Sequence, residues 1–172
     1  MGRVMPKHEY YSRQTILKEV GESGQLKLSK TKALIVGAGG LGHPVATYLA
    51  AAGVGELAII DFDKIEESNL NRQICFTPEH IGQLKAQVLS QRIKDQNPHI
   101  NVTTIIEKLD VQNAEKVISQ FDIIIDCCDN FATKFLIHDA AWLLKKDLIQ
   151  ASIYQYEGQI QSFNFSKDTD KG

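Results

Sequence analysis

Six consecutive residues, Gly37-Ala38-Gly39-Gly40-Leu41-Gly42, satisfy the pattern Gly-x-Gly-x-x-Gly, and Asp61 stands at the end of the next apolar run. Glycines in this pattern permit a tight turn and a close approach by phosphates, whose charge is favoured by the free N–H groups and dipole at a helix start. Asp61 is then placed to accept hydrogen bonds from ribose hydroxyls. A structural glycine turn followed by an acid would show the same letters. The loop's position, directly after an apolar run and directly before a helical pattern, favours a nucleotide. On these residues alone that nucleotide is NAD as readily as ATP, since NAD is the usual occupant of the fingerprint.

Residues 61–73, Asp-Phe-Asp-Lys-Ile-Glu-Glu-Ser-Asn-Leu-Asn-Arg-Gln, are richer in hydrogen-bonding groups than a connector needs. Taken in order, the glycine loop, Asp61 with Asp63, Ser68-Asn69-Leu70-Asn71-Arg72-Gln73, Lys85 and Asp129-Asn130 resemble the motifs of the MoeB/ThiF family, bacterial relatives of ubiquitin-activating enzymes. Tyr11-Ser12-Arg13-Gln14 is similar to that family's opening motif, and the resemblance runs over residues 10–165. It implies transfer of AMP from ATP to the C-terminal Gly-Gly carboxylate of a small ubiquitin-like sulfur carrier of the thiamin or molybdopterin type. Pyrophosphate is released, and sulfur is loaded afterwards.

The resemblance implies catalytic roles for Arg13, Arg72, Lys85 and Asp129. It also implies a nucleotide site lined by Gly39, Gly40, Gly42, Asp61, Asp63, Ser68, Asn69, Leu70, Asn71, Arg72, Gln73, Lys85, Asp129 and Asn130. These residue types suit the reaction. A carboxylate is already ionised at neutral pH, so its attack needs alignment and charge neutralisation rather than a general base. Arg72 offers a planar fork of donors and Lys85 a mobile point charge for phosphate oxygens. Asp129 is the expected Mg²⁺ ligand, with phosphates completing the coordination. Arg13 is expected to reach the phosphates of the partner subunit in a homodimer.

Plainer roles stand beside these. A lone Arg or Lys on a polar segment is more often a solvated charge, and Asp129 could instead cap the helix that follows it. Cys127 and Cys128, at the end of an apolar run, are expected to pack as small apolar residues rather than act as nucleophiles. His43 stands where the family usually carries a small residue.

The elements that must hold these residues alternate. Apolar runs at 33–36, 57–60, 122–126 and 148–151, and a β-branched run at 102–106, read as strands. Helical spacing appears from Pro44 to Gly53, from Ile81 through Leu84, Val88 and Ile93, after Asn113 as a cap, and over 131–144. Residues 158–165 form a further strand of open pairing, and residues 10–30 two short helices broken at Gly21 and Gly24. The expected fold is α/β, a doubly wound, mainly parallel Rossmann-like sheet with an N-terminal helical arm. The expected organisation is arm 1–30, nucleotide-binding domain 31–165 and polar tail 166–172.

The 172 residues are about the length of one domain, and a net charge of −2 supplies no basic excess for nucleic acid. No apolar run approaches the roughly 20 residues of a membrane span, and the opening residues lack a signal-peptide core, so a cytoplasmic location is expected. The three cysteines form no Cys-x-x-Cys, so the structural zinc and acceptor-tail loop that the resemblance implies further along have no ligands in these residues. Two other classes remain, a non-catalytic module that binds the carrier or dimerises, and an NAD-binding oxidoreductase.

Overall fold

The computed structural model describes residues 7–167. Six strands form one sheet in the order β3-β2-β1-β4-β5-β6, with β1 Lys32–Val36, β2 Glu56–Ile60, β3 Asn101–Ile105, β4 Ile123–Asp126, β5 Asp147–Tyr154 and β6 Glu157–Phe163. All pairings are parallel except β5 with β6, an antiparallel hairpin. The strand expected over residues 158–165 thus pairs with β5, but it ends at Phe163.

The strands read as continuous apolar runs because both faces are covered. Ala33 and Ile35 of β1 face one core with Leu57, Ile59, Ala46, Ala50, Leu89 and Ile93. Leu34 and Val36 face the other, with Ala58, Ile60, Ile124, Ile118 and Ile137. The first core is roofed by α4 Gly42–Ala52 and α5 Lys85–Gln96, the second by α6 Ala114–Ile118 and α7 Phe131–Leu143.

Among the described residues the arm comprises α1 Lys7–Tyr10, α2 Ser12–Thr15 and α3 Gly21–Lys30, the last two being the pair expected over residues 10–30. The break falls over residues 16–20, ahead of Gly21, which opens α3 with φ of 56°, while Gly24 lies inside α3 against Val20. The arm is docked by polar contacts. Fully buried Asn97 donates through Nδ2 to Tyr11 Oη and to Ala50 O, both at 2.7 Å, and Gln14 Nε2 donates to Ala52 O at 2.7 Å.

Two local expectations change. Ile81 and Leu84 precede α5 instead of belonging to it, because Gly82 turns the chain at φ of 85° and Leu84 bridges to Lys64 in extended form. Asn113 stands at the N-cap of α6 but its side chain makes no cap bond; Oδ1 accepts from Asp110 N at 3.0 Å instead. The tail reading covers residues 166–172, of which 168–172 lie outside the described residues. Among the described residues no helix is long and apolar enough to cross a membrane.

Candidate functional site

The sheet order reverses between β1 and β4, and crevices of open α/β sheets form at the carboxyl ends of strands at such a reversal. There the glycine loop leaves β1 for α4, and residues 127–130 leave β4 for α7. The two segments touch: Cys127 N donates to Val36 O at 2.9 Å, and a Cβ on Gly37 would lie 3.1 Å from Cys127 O. Gly37 has φ of 97°, a conformation that strongly favours glycine.

The glycines of the loop have different reasons to lack a side chain. A Cβ on Gly42 would overlap the carbonyl oxygen of Gly37, so Gly42 serves the packing of loop on helix. A Cβ on Gly40 would meet nothing closer than Arg72 O at 4.0 Å, and one on Gly39 nothing closer than Gln73 Nε2 at 3.8 Å. Packing does not demand glycine at 39 or 40. The bare backbone there keeps the N–H groups of Gly39, Gly40 and Leu41 open, and none of the three has an acceptor among the described residues. An anion is the natural partner for such a cluster.

Asp61, just beyond β2, accepts from Ala38 N through Oδ2 and from Asp63 N through Oδ1, each at 2.7 Å. Burial raises its pKa above the ordinary value, against the opposing pull of those two N–H groups and of Lys85. Each carboxylate oxygen keeps acceptor capacity for a further hydroxyl. Asp63 in turn binds Lys85 Nζ at 3.0 Å, at the first residue of α5, where the lysine is largely buried and the aspartate half exposed.

The polar run folds into a 3-10 turn, Glu67–Asn69, shaped by the motif itself. Buried Asn69 accepts from Glu66 N at 3.1 Å in a capping box, and Ser68 Oγ donates to Glu66. Arg72 donates through Nη1 to Ser68 O at 2.8 Å and Asn71 Oδ1 at 3.2 Å, leaving its other nitrogens without acceptors among the described residues. Gln73 is 4% exposed and its Oε1 has no hydrogen-bond partner among them, an open acceptor in the wall beside Gly39.

These groups surround a cleft of about 1270 Å³, beyond the roughly 300–1,000 Å³ of common ligand pockets. The structure brings Gly39, Gly40, Asp61, Asp63, Asn69, Arg72, Gln73, Lys85, Asp129 and Asn130 to its wall. Gly42, Ser68, Leu70 and Asn71 support the wall from outside it, and Arg13, exposed on α2, lies away from this chain's own cleft. Asp129 is exposed and makes no cap bond; the cap of α7 is Asn130, whose Oδ1 accepts from Thr133 N at 2.9 Å.

Cys127 and Cys128 also border the cleft, yet both thiols are pushed up to about 12, chiefly by burial and then by the neighbouring Asp126 carboxylate. His43 is buried, with Nδ1 2.8 Å from Gly39 O, so the larger side chain is absorbed as a prop beneath the loop. Sequence reading passed over Asp126 and Lys134, a buried ion pair at 3.0 Å behind residues 127–130. The signal was present in the charged residue that ends the run Ile123-Ile124-Ile125.

The ThiF family profile matches residues 11–171. The chain belongs to the ThiF family. A sulfur carrier protein adenylyltransferase of Thermus thermophilus is 43% identical over 154 residues, 90% of this chain and 57% of that protein. The adenylyltransferase and sulfurtransferase MOCS3 of Caenorhabditis briggsae is 45% identical over 160 residues, 92% of this chain and 39% of that one. This ThiF-family chain therefore spans less than two thirds of the curated relatives it matches. Among solved structures, Escherichia coli tRNA N6-threonylcarbamoyladenosine dehydratase TcdA in complex with ATP superposes with a TM-score of 0.80 at 26% identity, over 86% of this chain and 61% of TcdA.

Proposed function

We propose that this chain is the nucleotide-binding part of an adenylyltransferase that uses ATP and Mg²⁺, acts in the cytoplasm as a homodimer, and activates the Gly-Gly carboxylate of a ubiquitin-like sulfur carrier of the thiamin or molybdopterin type. The observation that carries this reading is the glycine loop, open at Gly39 and Gly40 and facing Arg72, with Lys85 and Asp129 in the same cleft. The names of the curated relatives support the same class of reaction.

The residues suit ATP. The N–H groups of the loop and the unused nitrogens of Arg72 match phosphate oxygens, while Asp61 and the open acceptor of Gln73 match sugar or base donors. Lys85 exchanges part of its pairing with Asp63 for a phosphate oxygen. Asp129 is a single exposed carboxylate, enough for Mg²⁺ when phosphates supply other ligands. Bound there, Mg²⁺ neutralises phosphate charge.

In the reaction a carboxylate oxygen of the carrier attacks the α-phosphorus and forms an acyl-adenylate. The bond to the bridging oxygen breaks, and its electron pair leaves with pyrophosphate. No proton needs removal from the nucleophile. Arg72 and Lys85 spread the developing charge, and the size of the cleft allows a polypeptide end beside the nucleotide. Arg13 is presented outward by the docking of Tyr11 and Gln14, a disposition suited to a neighbouring subunit's phosphates.

Calorimetry with Mg-ATP and with NAD tests this reading. Binding of ATP alone, weakened in Asp129→Ala and Arg72→Ala, is expected, followed by pyrophosphate release with a Gly-Gly carrier. Binding of NAD alone overturns it. Mixing Arg13→Ala with Asp129→Ala protein should restore activity if the arm acts across a dimer.

A further inference from the structure

Asp126 ends β4 with no exposed surface, yet its carboxylate is fully engaged. Oδ2 accepts from Lys134 Nζ at 3.0 Å and Gln150 Nε2 at 3.2 Å; Oδ1 accepts from Cys128 N at 3.0 Å and Cys128 Sγ at 2.8 Å. Lys134 Nζ donates again to Ala151 O at 2.7 Å, and Gln150 Nε2 to Lys134 O at 3.2 Å. One ammonium thus ties the first turn of α7 to the end of β4 and the middle of β5.

Such a pair is a poor device for stability alone, because desolvating two charges offsets most of their attraction. Its geometry suggests a different use. The N–H that Asp126 holds belongs to Cys128, the residue before Asp129, and this turn is the one in contact with Gly37. The carboxylate that pairs with Lys134 through Oδ2 thus also holds, through Oδ1, the turn of residues 127–130 that lies beside the glycine loop.

We propose that Lys134 is a positioning residue: through buried Asp126 it holds Asp129 in register with the glycine loop and so governs the Mg²⁺-dependent part of ATP binding. This rests on the adenylation reading of the cleft. Without the ammonium, Asp126 is a buried carboxylate lacking its main counter-charge, and the grip on Cys128 N relaxes.

The test is calorimetry of ATP with and without Mg²⁺ on the chain, Lys134→Met and Lys134→Arg, with thermal melting of each. Outer residues that orient a metal ligand commonly change metal affinity roughly 10- to 100-fold. Lys134→Met is expected to lose about tenfold or more in Mg-ATP affinity while metal-free ATP changes less than about twofold, with Lys134→Arg recovering most of the loss. Gln150→Met, which leaves both charges in place and so protects folding, should lose Mg²⁺ dependence in the same direction by a few-fold. Unchanged Mg²⁺ dependence in folded Lys134→Met, or in Gln150→Met if Lys134→Met does not melt cooperatively, overturns the inference. An equal loss with and without Mg²⁺ overturns it too, because it marks a direct contact or general damage. Failure of the unaltered chain to bind Mg-ATP at all sinks the adenylation reading itself, and this inference with it.

Discussion

The backbone N–H of Ala38 donates to Asp61 Oδ2 at 2.7 Å, so the acid at the end of β2 braces the glycine loop before any ligand arrives. With its other oxygen on Asp63 N, Asp61 joins the two segments that carry the loop and Lys85's partner. A residue read from sequence as a ribose ligand is thereby also part of the loop's frame.

Asp61 should give stability and ATP affinity opposite pH slopes. Its pKa is raised in the folded chain above 3.8, so the native state takes up this proton more readily than the unfolded state. The group's contribution to stability is therefore present below 3.8 and lost as pH rises through the folded value. ATP binding needs the ionised brace and should weaken as pH falls through that same window. Calorimetric affinity against pH in the acid range, compared with Asp61→Asn, reads this directly; an affinity slope identical in the variant rules it out.

Gly42→Ala and Gly40→Ala should separate packing from ligand contact. The first forces a methyl into Gly37 O and should cost about 1–3 kcal/mol or more by thermal melting. The second meets nothing closer than Arg72 O at 4.0 Å, an ordinary contact, and should melt within about 0.5 kcal/mol of the original while losing affinity for ATP. Equal melting temperatures for the two variants would contradict this assignment.

Neither Cys127 nor Cys128 should react with iodoacetamide at neutral pH in the folded chain. A thiol pushed up to about 12 is ionised to roughly one part in ten thousand at pH 8. Mass spectrometry after timed alkylation should find both unmodified until denaturant is added. Rapid labelling of either in native protein would revive a nucleophilic role.

Tyr11→Phe should loosen the arm. It removes one of two acceptors from the fully buried Asn97 Nδ2 and is expected to cost about 1 kcal/mol. Limited proteolysis should then cut faster near residues 10–20. Unaltered melting and cleavage would mean that the Gln14 contacts alone suffice.

The alternation of apolar runs and helical spacings determined the α/β class, and β1, β4 and α7 lie within a residue or so of their expected limits. The glycine loop and Asp61 were marked locally, by residue type and by a place beside an element end, whereas Arg72, Lys85 and Asp129 entered through the order of motifs shared with a family; the structure lines one cleft with all of them. The start of α5 was misread, because the helical spacing of Ile81 and Leu84 lost to the turn at Gly82 and the bridge to Lys64.

Tertiary structure alone decided which member of a motif faces the cleft and which supports it. Gly40 and Gly42 are the same letter, yet only their neighbours across the loop separate an open backbone from a packing contact. Adjacent Asp129 and Asn130 divide the roles of exposed acid and helix cap according to which side chain meets Thr133 N. The partnership of Asp126, Lys134 and Gln150 joins residues of β4, α7 and β5 that sequence keeps apart. Local pattern determines elements through backbone preference and burial, whereas such pairings depend on strand register, here Asp126 against Gln150, and exist only once the sheet has formed.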